Sequence, residues 1–105
     1  MTSIAPDNYM RGTKLMETEE IGTYLHWCPG CKRLHPINTQ KHNAYNAIWS
    51  FDGNIEQPTF SPSINLVGYC HYFITAGKIL YCTDTKHEFS GQTIDLPDIP
   101  IDERW

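Results

Sequence analysis

Everything in this sequence has to accommodate Cys28-Pro-Gly-Cys31. Two residues between the cysteines let both sulfurs face one point, and the Pro-Gly pair bends the backbone so that amides point toward them. Zn²⁺ takes four tetrahedral nitrogen or sulfur ligands, so this is half a site. Cys70, His71, Cys82 and His87 lie within one later hairpin and its exit, close enough in sequence to supply the other half. A redox dithiol with the same spacing needs a helix starting at the motif, and Lys32-Arg-Leu-His-Pro36 stops any helix within a turn. The chain has 105 residues, 40% of them apolar. That suffices for one domain with a small core, to which an ion adds needed stability.

Other classes fall away on composition. The apolar runs are far shorter than the roughly 20 residues of a spanning helix, so no membrane span is expected. The start lacks a basic region followed by an apolar one, which makes a reducing cytoplasm the expected compartment and metal binding the expected use of the cysteines. Net charge is −4, with acidic ends and a mildly basic stretch around the first cysteine pair. No Lys/Arg stripe is present, which argues against general nucleic-acid binding.

Residues 1–20 are polar, broken by Pro6 and Gly12, and read as an N-terminal arm outside the core with a short helical turn near Thr13–Glu20. Residues 21–98 form the domain and 99–105 an acidic tail ending in Trp105. Ile21–Trp27 reads as a strand entering the Cys28 turn, and Ala47–Phe51 as a second strand ended by Asp52-Gly53. Pro58–Ile64 carries two prolines and reads as an extended loop with Phe60 and Ile64 as buried anchors. Tyr69–Thr75 and Lys78–Thr83 form a hairpin. A two-residue Ala76-Gly77 turn sets His71 opposite Cys82, with Asp84 on their face and Cys70 on the other; a three-residue loop reverses this. Thr93–Leu96 is a short strand stopped by Pro97. The expected fold is mostly β, with at most a short helix: antiparallel strands and hairpins stapled by one zinc site.

His35 lies four positions after Cys31 and reads as a cap on a thiolate, while His26 and His42 read as packed or surface histidines. Asp84 reads as a carboxylate orienting His87, in preference to a general base beside His71. Ser61 and Ser63 read as turn hydroxyls, because no strand-to-helix elbow surrounds them.

The order of Cys28-Pro-Gly-Cys31 with His35, Trp49-Ser-Phe-Asp-Gly-Asn54, Pro58-Thr-Phe-Ser-Pro-Ser-Ile64, Cys70-His71, Asp84 with His87, and Gly91–Pro97 resembles a family of small proteins of tailed bacteriophages and prophages. Some of its members carry an ammonia monooxygenase label, which a thiolate-rich site suited to zinc contradicts. Others lie beside bacterial ubiquitin-like conjugation genes, which implies a partner-binding or peptidase-associated role. The family pattern sets an apolar residue at position 82, which makes Cys82 core. The expected zinc ligands are Cys28, Cys31, Cys70 and His87, with His71 as competitor for a place. The expected function is a zinc-stapled structural or accessory protein docking on a viral or host protein, in the host cytoplasm or the virion. The alternative is a zinc-dependent amide or ester hydrolase with Asp84 or Glu88 as general base.

Overall fold

The computed structural model describes residues 13–20, 22–40, 47–66 and 69–103. Ile21, His42 and Trp105 lie outside these residues, as do the first twelve. Among the described residues the regular structure is almost wholly β, and every strand pair is antiparallel. β1 (Met16–Glu17), β2 (Thr23–Cys28) and β3 (Arg33–Asn38) make a three-stranded sheet. β4 (Ser50–Phe51), β5 (Phe60–Leu66), β6 (Cys70–Thr75), β7 (Lys78–Tyr81) and β8 (Thr93–Asp95) make a five-stranded one. Each sheet is a meander, with strands side by side in chain order. The described helix content is one 3-10 turn, Ile101–Glu103, and no described helix is long and apolar enough to cross a membrane.

Alternation builds the core. Cys70, Tyr72 and Ile74 of β6 and Ile79 and Tyr81 of β7 are buried, while their neighbours turn to the other face. They pack with Tyr24, Cys28 and Ile37 of the smaller sheet and with Leu15 just before it. The Tyr24 ring lies 4.8 Å from that of Phe51, centroid to centroid, and tilts against that of Phe60, tying the sheets together.

The β6–β7 turn has two residues: Thr75 pairs with Lys78, and Ala76 and Gly77 both have left-handed backbone, φ +49° and +78°. That is the geometry of a type I′ turn, and it fixes the register in which His71 faces the same way as Cys82.

Four expectations change. Pro58–Ile64 is not a loop: from Phe60 it enters β5, between β4 and β6. Pro62 is tolerated because the β5–β6 ladder breaks register between Phe60 and Ile64, so its missing N–H falls where no ladder bond is required. Thr13–Glu20 contains a short strand rather than a helical turn: Met16 is buried where β1 pairs with β2, and Leu15, just before the strand, is buried in the core. Lys32–Pro36, read only as a helix stop, runs into β3, which returns along β2 as the second arm of a hairpin. The base of the acidic tail also joins the core, since Ile99 is fully buried and its N–H donates to the Thr13 carbonyl at 2.7 Å.

Candidate active site and metal centre

The hairpin turn between β2 and β3 carries the first cysteine pair. Lys32 N–H donates to the Cys28 carbonyl at 2.7 Å, and Cys31 N–H points at Cys28 Sγ at 3.4 Å. β6 brings Cys70 to the same place from the other sheet, and the loop after β7 brings His87. Ligand atoms of Cys28, Cys31, Cys70 and His87 all lie within 4.8 Å of one another, and Nε2 of His87 is 3.3 Å from Cys70 Sγ and 3.9 Å from Cys28 Sγ. Gly30 makes room for the imidazole: a Cβ there would sit 2.2 Å from the ring. Tyr81 meets His87 edge to face and its hydroxyl lies 3.1 Å from Cys28 Sγ.

The three sulfurs share charge unequally. The hydrogen bond from Cys70, then those from Tyr81 and the Cys31 amide, hold the Cys28 thiol down at about 4 against the opposing effect of burial. Its bond to the Cys28 thiolate, with burial, pushes Cys70 up, and burial followed by the Cys28 charge pushes Cys31 up to about 11. One thiolate is held by its neighbours, and a cation is what would let all three ionise.

Behind this cluster, Tyr72 binds two buried histidines. Its hydroxyl lies 2.6 Å from His26 Nε2 and 2.9 Å from His35 Nδ1. A phenol has one hydrogen, so it donates to one ring and accepts an N–H from the other. His35, expected as a thiolate cap, is spent on Tyr72.

The opposite face of the large sheet holds a second constellation. Next to Cys70 on β6, His71 turns outward by strand alternation and does not join the thiols. Its Nδ1 lies 3.1 and 3.2 Å from the two oxygens of Asp84, and its Nε2 lies 3.1 Å from Ser63 Oγ. The carboxylate has no proton to give, so Nδ1 carries the hydrogen and Nε2 accepts from the serine hydroxyl. Asp84 thus orients His71 rather than His87.

Ser63 and His71 are each held through the backbone. The Trp49 indole N–H donates to the Ser63 carbonyl at 3.1 Å. Thr85, buried and adjacent to Asp84, clamps the His71 backbone: its hydroxyl donates to the His71 carbonyl at 2.8 Å and accepts the His71 N–H at 3.1 Å. The site is open, with the Asp84 side chain 64% exposed, and Phe73, itself 44% exposed, stacks beside the imidazole. Cys82 is half-buried on this face rather than packed in the core, because it follows β7 directly opposite His71.

A serine, an imidazole and a carboxylate in one hydrogen-bonded line can supply the nucleophile, base and orienting group of acyl-transfer chemistry. Ser63, expected as a turn hydroxyl in a loop, is instead a residue of β5 beside the His71 imidazole. Laying Phe60–Leu66 against β6 as a strand would have set Ser63 and His71 on one face, which was the available signal.

No curated protein and no solved structure matches this chain. Residues 1–82 match a family model described as bacterial ubiquitination-like system serine protease (BubE). The matched segment includes Ser63 and His71 with Cys28, Cys31 and Cys70, and ends two residues before Asp84. Neither a phage origin nor an oxygenase label finds support in this match. With well over half of its length inside that match, the chain belongs to the BubE family of bacterial ubiquitination-like system serine proteases.

Proposed function

We propose that this chain is a serine protease in which Ser63 is the nucleophile, His71 the general base and Asp84 the carboxylate that orients and stabilises the imidazole. The observation that carries it is the line from Ser63 Oγ through His71 to Asp84, with both links at 3.1 to 3.2 Å. Nε2 takes the hydroxyl proton as Oγ attacks the scissile carbonyl, then gives it to the leaving amine. The resulting acyl-enzyme is hydrolysed by a water that His71 activates in turn. Membership of a ubiquitination-like system makes the substrate a peptide or isopeptide bond to a ubiquitin-like protein, which is then the protein partner. No specific observation favours a non-enzymatic accessory or virion role.

In this reading the Cys28, Cys31, Cys70 and His87 cluster holds Zn²⁺ as a structural ion. Three thiolates and one imidazole make a closed donor set, and the Gly30 cradle fits the ring into it. Bound there, the ion would supply folding energy and hold β6 and the Asp84–His87 loop together. A catalytic zinc with Asp84 as base is disfavoured because that carboxylate faces His71 on the other side of the sheet.

Hydrolysis of a peptide-linked ubiquitin-like substrate is therefore expected to disappear in Ser63→Ala and His71→Ala. In Asp84→Asn it should fall by about 10²- to 10⁴-fold. Full activity in Ser63→Ala would exclude the proposal.

A further inference from the structure

The face that carries the triad holds one more reactive group, and the triad does not use it. Cys82 N–H donates to the His71 carbonyl at 2.8 Å, so the two residues sit opposite each other and face the same way. Cys82 Sγ, a His71 ring nitrogen and an Asp84 carboxylate oxygen lie within 4.8 Å of one another. All three residues are partly open to solvent. Sulfur, imidazole nitrogen and carboxylate oxygen together suit a borderline-soft divalent cation and leave its fourth position to water. Mg²⁺ and Ca²⁺ need more oxygen ligands than this corner offers.

We propose that Cys82, His71 and Asp84 form a second, reversible site for a Zn²⁺-class cation, and that its occupation switches off Ser63. The inhibitory half rests on the triad reading. Nδ1 is the ring atom that faces Asp84, so it is the atom the ion takes. A neutral imidazole bound through Nδ1 carries its single proton on Nε2. Nε2 then donates to Ser63 Oγ, where before it accepted, and the nucleophile loses its base. The Cys82 thiol releases its proton to solvent on binding, and the two negative charges of thiolate and carboxylate balance the dication. The inner quartet of Cys28, Cys31, Cys70 and His87 shares no donor with this site, so the two ions do not compete.

The test uses the full chain with its inner quartet filled, titrated with Zn²⁺ and, in parallel, Mg²⁺. Equilibrium dialysis reads binding, and Ser63 labelling by a fluorophosphonate reads the nucleophile. Wild type is expected to take a second equivalent of Zn²⁺ and to lose labelling as it binds, whereas Mg²⁺ leaves labelling unchanged. Cys82→Val, which removes one of three donors, should need at least about 10-fold more Zn²⁺ for both effects. Absence of a second equivalent on wild type, or its binding to Cys82→Val at wild-type affinity, overturns the site. A Cys82-dependent second ion that leaves labelling intact overturns the switch. If wild type is never labelled, the triad reading has failed and the switch falls with it, while dialysis still decides the ion site.

Discussion

His26 and His35 show how much chemistry a small core can hold when one hydroxyl serves two imidazoles. Both rings are buried, and burial, reinforced for His26 by its histidine neighbour, holds His26 down at about 3 and lowers His35 as well. In an unfolded chain these residues take up protons near pH 6.5. Between about 6.5 and 3 the unfolded state therefore binds more protons than the folded one. The stability is fully present above 6.5 and is lost as the pH falls through that window, by an amount on the order of a few kcal/mol. His26→Gln keeps a hydrogen-bonding group for Tyr72 without the titration. Its urea midpoint should fall less steeply from pH 7 to pH 4 than that of wild type, and equal slopes would show that His26 carries a proton in the fold.

β6 is the element on which both constellations depend, because alternation sends Cys70 to one face and His71 to the other. The loop after β7 repeats the arrangement, with Asp84 for the outer face and His87 for the inner. Thr85 ties that loop to the strand, so Thr85→Val removes two hydrogen bonds to the His71 backbone. It should cost about 1–3 kcal/mol of stability. Misplacement of the imidazole should lower kcat by up to about 10²-fold with KM unchanged, and Thr85→Ser should restore it. A Thr85→Val enzyme with wild-type kcat would separate the clamp from catalysis. The same strands explain what could be read in advance. Cys28, Cys31, Cys70 and His87 were legible as a group, since thiols and imidazoles announce a candidate metal site by residue type and short spacing. The hairpin turn was legible in Ala76-Gly77, although only backbone geometry fixed its register. Ser63 was not legible: prolines at positions 58 and 62 mask a strand, and a serine's chemistry depends on a neighbour across the sheet, which no local pattern encodes. Leu15 escaped notice for a similar reason, as one apolar residue in a polar run reveals its burial only once β1 pairs with β2.

The two sheets meet around a core of modest size, and the thiol–imidazole cluster is where an ion would cross-link them: Cys28 and Cys31 from the β2–β3 turn, Cys70 from β6 and His87 from the loop after β7. An ion there would act on the whole fold, with binding energy on the order of 10 kcal/mol, comparable to the entire stability of a small domain. About one zinc per chain is expected in protein purified without chelator, and strong chelation, Cys28→Ser or His87→Ala should each unfold it. Cys82→Val should keep that ion. Less than a tenth of an equivalent of metal in folded protein would remove the staple. On the far side of the sheet, Ser63 stands or falls on its reactivity. Fluorophosphonate treatment of the metal-loaded chain, followed by peptide mapping of the adduct, should place one phosphonyl group on Ser63 and none in His71→Ala. An adduct elsewhere, or equal labelling of Ser63 in His71→Ala, would contradict an imidazole-activated serine protease.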